Sequence, residues 1–353
     1  MFRQKTTLVV GAGASCELGL PSGDGLKSQI LTLLKPSTDN AYGFTDPIMI
    51  ELMKRRVDPR LGDYPSKLDP VKQAGDRIRR GLPLALSIDN FLHSHQGDEE
   101  VEQLGKLAIA INIIRAEGGS HLFGRIPSMI RMQRPDAKPR MSIDGDGLAK
   151  SWYPAFAQQL MSGVQRHDIS NAFANLRFVV FNYDRCLEQY LWMALQSYFD
   201  ISRDEAAEVL SNVDFIHPYG DLGPLPWQHH DGPIALGNAT IDDIPVMASR
   251  IRTFTESVRS DVGREVKDAM EWGDTLIILG FGYLDQNIQL LSVLPGKNGN
   301  RVFSTAYGVS DQDKLVMRDA MMALGGVVAS SAMIEGGSCR DLFDNYRLHL
   351  SLR

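Results

Sequence analysis

Four short stretches carry side chains suited to chemistry, and each stands where an apolar run stops. Val9-Val-Gly-Ala-Gly-Ala-Ser-Cys16 is a β-branched run entering the glycines Gly11 and Gly13, with Ala12 between them and Ser15 following. Glycines there permit positive φ and let a backbone approach a phosphate, whose charge the next helix N-terminus stabilises. A tight strand–helix turn without any ligand is the plainer reading. Phe178-Val-Val-Phe-Asn-Tyr-Asp184 ends a run with an amide and a carboxylate. Asp184 suits catalysis or the N-cap of the following helix. Asn182, one pleat earlier, projects from the carboxyl edge of a sheet, where open α/β sheets bind ligands. Val213-Asp-Phe-Ile-His-Pro-Tyr-Gly220 ends in His217, and an imidazole titrating near neutrality is the natural general base. Its plainer reading is a hydrogen-bonded loop histidine. Asp274-Thr-Leu-Ile-Ile-Leu-Gly-Phe-Gly-Tyr-Leu-Asp-Gln-Asn287 is a buried strand, a Gly280-Phe-Gly282 turn and a helix start bearing Asp285 and Asn287. That helix start suits a phosphate or a ribose hydroxyl, or is simply a capped helix.

Several named motifs fail. The dinucleotide fingerprint G-x-G-x-x-G needs glycine at position 16, where Cys16 stands, and no acidic residue closes a second strand about 20 residues on. No G-x-x-x-x-G-K-[ST] occurs, which argues against ATP hydrolysis, and no G-x-S-x-G elbow marks a serine hydrolase. Cys16, Cys186 and Cys339 form no CxxC pair, which excludes a four-thiolate zinc site and suggests a reducing compartment. His93-Ser-His95 and His229-His230-Asp231 lack a second ligand pair at metal spacing, and Asp144-Gly-Asp-Gly147 lacks the glutamate of a calcium loop. No metal is expected.

The elements that must position these residues follow from the apolar pattern. At roughly 150 residues per domain, 353 residues make one large domain or two ordinary ones. A charged fraction of 23 % excludes wholesale disorder. Lys+Arg 37 against Asp+Glu 43 gives −6, the wrong sign for gripping phosphate backbones. Short apolar runs at Thr7–Val10, Phe178–Phe181, Val213–Ile216, Thr275–Leu279, Arg301–Tyr307 and Val327–Ala329 alternate with helical segments. Such runs read as a parallel sheet covered on both faces, an α/β fold. After Asp184, residues Leu187, Tyr190, Leu191, Ala194, Leu195 and Tyr198 repeat at three and four and mark a core-facing helix. A second helix carries Val101, Leu104, Leu107, Ala108, Ile111 and Ile114 behind Asp98 as N-cap. It lies in a mainly helical insertion over 36–169, rich elsewhere in Pro, Gly and charge. Within it Arg125, Arg131, Arg134, Lys138 and Arg140 face only Asp136, a solvated loop or a contact for nucleic acid or an acidic partner. No apolar run approaches 18 residues, and the apolar core after Met1 spans only Leu8–Val10, too short for a signal peptide. A cytoplasmic protein without a membrane span is expected.

Taken in order, Gly11-Ala-Gly-Ala-Ser15 with Leu20-Pro21, Asn182-Tyr-Asp184, His217 with Gly220, and Gly280-Phe-Gly282 with Asn287 resemble the sirtuin-like family. Ser87-Ile-Asp-Asn-Phe-Leu92 is similar to a helical segment of its bacterial members. The resemblance covers about 1–35 and 170–310. It implies a Rossmann-like NAD-binding domain formed by 1–35 and 170–353 around the insertion. By the same resemblance the glycine loop, with Gly11, Ala12, Gly13, Ser15 and Pro21, holds the NAD pyrophosphate. Asn182 contacts the nicotinamide ribose and positions water, Asp184 is a further catalytic group, Gly220 contacts the cofactor, and His217 is the general base. Gly280, Gly282 and Asn287 line the adenosine half. Deacylating sirtuins carry two zinc-binding Cys pairs and an aromatic–Arg pair after the loop proline; this chain has neither pair of cysteines and reads Pro21-Ser-Gly-Asp24. The resemblance is thus to stripped bacterial NAD glycohydrolases of anti-phage defence, regulated by homo-oligomeric assembly or by a partner such as an ATPase or nucleic-acid sensor. The rivals are a non-catalytic sensor of NAD or an ADP-ribose derivative, and an NAD-dependent deacylase or ADP-ribosyltransferase.

Overall fold

A computed structural model describes residues 2–57, 64–124, 140–292 and 301–352. Six strands form one all-parallel sheet: β1 (Thr6–Val10), β2 (Leu176–Val180), β3 (Phe215–Ile216), β4 (Thr275–Leu279), β5 (Arg301–Thr305) and β6 (Ala332–Glu335). Their spatial order is β3-β2-β1-β4-β5-β6. This is the Rossmann order, in which the chain reverses direction across the sheet beside β1 and opens a crevice at the strands' carboxyl ends. β1 is centrally placed because Thr6–Val10 is buried throughout and pairs on both sides.

Alternate strand residues feed two cores, as the pleat demands. Val9, Val179, Leu276 and Ile278 point to one face, where they join Ile30, Leu104, Ile111 and Met247. Leu8, Val10, Phe178, Val180, Ile277 and Leu279 point to the other, with Trp152, Phe156, Leu191 and Phe343. Segment 36–169 contributes to both: the helix Glu99–Gly118 covers the first face and the helix Trp152–Met161 the second. Asp98 caps the former, its carboxylate accepting the Val101 N–H. No helix among the described residues is long and apolar enough to cross a membrane.

Three expectations about the elements need correction. Val327–Ala329 is not a strand. The helix Asp311–Gly325 stops on Gly326 at φ +60°, Val327 donates back to the Met322 carbonyl, and a 3-10 turn over Ala329–Ser331 precedes β6. Apolar residues that follow a left-handed stop seal the helix end and need not start a strand. The run from Arg301 ends at Thr305, beyond which Tyr307 is exposed. Tyr198 leaves the stripe of its helix, Cys186–Phe199, and is 60 % exposed, while the neighbouring Phe199 is buried in the core in the last turn. Arg125, Arg131, Arg134, Lys138 and Asp136 lie outside the described residues.

Candidate active site at the crossing point of the sheet

β1, β2 and β4 end in register, Val10 opposite Val180 on one side and Leu279 on the other. The turns that follow meet at the crevice. Gly11 donates to the Leu279 carbonyl at 2.8 Å and Gly13 to the Gly280 carbonyl at 2.9 Å, so the two glycine turns touch backbone to backbone. A Cβ on Gly280, which sits at φ +54°, would lie 2.0 Å from the Ala14 nitrogen. The bareness of Gly11, Gly13 and Gly280 thus serves the closure of the two turns, and two N–H groups expected to face a phosphate are already donated. Gly282 and Gly23 differ, since a Cβ on either meets no atom within 4 Å.

Above these turns lies a cavity of about 300 Å³, at the lower end of the range usual for small-molecule sites, about 300–1,000 Å³. Gly11, Ala12, Gly13, Ser15, Pro21, Asn182, Asp184, Gly280, Gly282 and Asn287 all line it, as do Asp24, Asp89, Phe181, Tyr183, Tyr219 and Phe281. Asn182 is 7 % exposed; its Nδ2 donates to Ser15 Oγ at 2.7 Å and to the Gly11 carbonyl at 3.1 Å. Its Oδ1 is buried without a partner. A buried, unsatisfied amide oxygen carries a desolvation cost of about 1–3 kcal/mol, which a bound hydroxyl would remove.

Ser15 passes the contact onward, its hydroxyl donating to Asp184 Oδ2 at 2.8 Å, while Oδ1 accepts the Cys186 N–H at 3.2 Å. Arg185, not Asp184, holds the N-cap position of the helix Cys186–Phe199; one Asp184 oxygen accepts the first N–H of that helix and the other accepts from the serine. Burial pushes the Asp184 carboxyl up to about 6, against the opposing hydrogen bond from Ser15. Such a group is largely ionised at neutral pH yet basic enough to take a proton.

His217 and Gly220 do not line the cavity. His217 stands behind Asn182, its Nδ1 3.1 Å from the Asn182 backbone carbonyl and its Nε2 2.6 Å from Glu188 Oε1. Burial alone would depress this imidazole, but the Glu188 charge and hydrogen bond outweigh it and push it up to about 9. At neutral pH both nitrogens carry protons and both are donated, so in this arrangement His217 offers no free base to the cavity. It holds the Asn182 main chain instead. Gly220, at φ +78°, is required by packing, since a Cβ would lie 2.0 Å from the Arg250 carbonyl oxygen.

Three residues central to the geometry went unread in the sequence as site residues. Glu17 anchors the glycine turn: Oε1 accepts the Cys339 and Arg340 N–H groups and Oε2 the Trp152 N–H, capping two helices at once. An acid directly after a glycine turn was the available signal. Glu188 stands in the first turn of the helix Cys186–Phe199, four residues beyond Asp184 in the chain. Asp89 belongs to the helix Ile88–Ser94, capped by Ser87, and accepts the Tyr183 hydroxyl. His93 and His95 have other partners: His93 Nδ1 lies 3.2 Å from Thr255 Oγ1, and His95 stacks on Phe91.

The chain matches no protein-family model and no curated protein. Its chemistry is read from the geometry above.

Proposed function

We propose that the chain is an NAD glycohydrolase, cleaving the nicotinamide–ribose bond with water to give nicotinamide and ADP-ribose. The observation that carries this reading is the buried, unpartnered Oδ1 of Asn182, linked through Ser15 to Asp184 at the wall of the crossing-point cavity. A dinucleotide crevice at this position of an open parallel sheet supports it. Asn182 Oδ1 accepts a hydroxyl of the ribose or of the attacking water, and an amide suits this role because it does not titrate. The C1′–N bond breaks with its electron pair going to the ring nitrogen, so nicotinamide leaves neutral. Water oxygen bonds C1′, whose positive charge has developed as the ring departs. The water's proton goes to Asp184, which lines the same cavity. His217 and Glu188 act through Asn182 by fixing its backbone.

In this reading the protein is a toxic effector of anti-phage defence, held in check by homo-oligomeric assembly or by a defence partner. The segment that precedes Ser87 supports a regulated rim: Leu86 lines the cavity yet is 71 % exposed, and neighbouring Leu84 is 88 % exposed. A sensor of NAD or an ADP-ribose derivative is the second reading, favoured by the double engagement of His217. Incubation of the whole protein with NAD in oxygen-18-labelled water tests the choice. The hydrolase reading expects equal nicotinamide and ADP-ribose with one solvent oxygen at C1′; binding of NAD without nicotinamide release supports the sensor.

A further inference from the structure

We propose that Asp89 makes this cavity selective for a cationic ring, an N-substituted pyridinium such as that of an oxidised nicotinamide nucleotide, over its neutral reduced counterpart. The proposal rests on the nicotinamide-nucleotide reading above and assigns the ring's charge as what the site recognises. The described residues lining the cavity include three carboxylates, Asp24, Asp89 and Asp184, and no lysine, arginine or histidine. Asp24 is offset by Lys27, 2.9 Å away at the exposed rim. Asp89 and Asp184 take part in no ion pair among the described residues; their partners are the neutral hydroxyls of Tyr183 and Ser15 and a backbone N–H.

Two independent features point the same way. Asn182, whose buried Oδ1 has no hydrogen-bond partner, lines the same cavity. The remaining wall is aromatic: Phe181 packs edge-on against Tyr219 and Phe281, with ring centroids 5.8 Å and 5.1 Å apart, and Tyr183 stands 6.5 Å from Tyr219. Carboxylates without counter-ions beside aromatic rings attract a flat cation through charge and ring quadrupole together, and a neutral ring gains neither. Burial pushes the Asp89 carboxyl up against the opposing hydrogen bond from Tyr183, and a cation seated beside it would favour its ionised form. Once the ring departs neutral, the attraction that held it is gone, and product release follows.

Binding of two small probes to the whole protein tests this without any turnover, because neither has a glycosidic bond. The probes are 1-methylnicotinamide, a cation, and nicotinamide, its neutral relative. The expected result is a preference of about fivefold or more for the cation. Asp89→Asn, which keeps an oxygen acceptor for Tyr183, should abolish the preference while leaving nicotinamide affinity unchanged, and Asp89→Glu should retain it. Equal binding of the two probes, no binding of either at millimolar concentration, or a preference that survives Asp89→Asn overturns the proposal. If Asp89→Asn fails to fold, Asp89→Ser takes its place with the same expectation, and a preference that survives it overturns the proposal. Cation preference without NAD cleavage would sink the hydrolase reading alone; NAD cleavage without cation preference would sink this proposal alone.

Discussion

Glu188 Oε1 lies 2.6 Å from His217 Nε2 in a buried pair, and this contact decides what His217 can do. With its other nitrogen donated to the Asn182 carbonyl, the imidazole is held as a doubly protonated brace. Its pKa stands above the ordinary 6.5, at about 9, so the pair's contribution to stability is complete below about pH 6.5 and is lost as pH rises through about 9. His217→Gln should therefore melt well below the parent near pH 7, by an amount on the order of 2–3 kcal/mol, and the gap should close by about pH 10. Thermal melts across that range check it; a deficit independent of pH contradicts the brace.

Asp184 is the proton acceptor in this account. Because burial raises its carboxyl to about 6, NAD cleavage should rise with pH between about 5 and 7 with a midpoint near 6. Asp184→Asn should lower the rate by about 10²–10⁴-fold and remove that rising limb. A pH–rate profile for both proteins is the measurement. Retention of the limb in the variant would assign the proton to another group.

The glycines divide into two kinds with opposite consequences. Gly280→Ala places a methyl 2.0 Å from the Ala14 nitrogen at a residue with φ +54°, so it should cost several kcal/mol, on the order of 2–4, and disrupt the closure of the two turns. Gly282→Ala adds its methyl to open space beside the cavity and should leave the melting temperature within about a degree or two while weakening NAD binding. Melting curves and binding titrations of the pair distinguish packing glycine from ligand-facing glycine.

Glu17 ties the glycine turn to the helices Trp152–Met161 and Cys339–Asn345. Glu17→Ala should destabilise the protein by about 1–3 kcal/mol, since two helix N-termini lose their acceptor. Glu17→Gln keeps one oxygen acceptor and should recover part of the loss. Urea unfolding of the two variants checks the order.

The strand ends were legible because fully buried parallel strands read as unbroken apolar runs and their carboxyl ends are marked by Gly11, Asn182, His217 and Gly280. Pairing was not. Nothing periodic links Asp98 to its own helix start differently from Glu17 to helices that begin more than a hundred residues away, and only the first is a local cap. His217 looked like a base because its type suggests one; its partners come from the preceding loop and helix, and no spacing rule brings Asn182 and Glu188 to its two nitrogens. The two glycine turns looked like ligand cradles, while their mutual contact depends on the side-by-side placement of β1 and β4, far apart in the chain. Val327–Ala329 misled because a sealed helix end and a short strand share the same apolar letters.

Nicotinamide release from NAD by the parent protein and by Asn182→Ala, followed by chromatography, tests the central claim most directly. Nicotinamide and ADP-ribose are expected from the parent in the absence of any acceptor, and none above background from a folded Asn182→Ala. Intact NAD in the parent reaction, or equal product from both proteins, would contradict it.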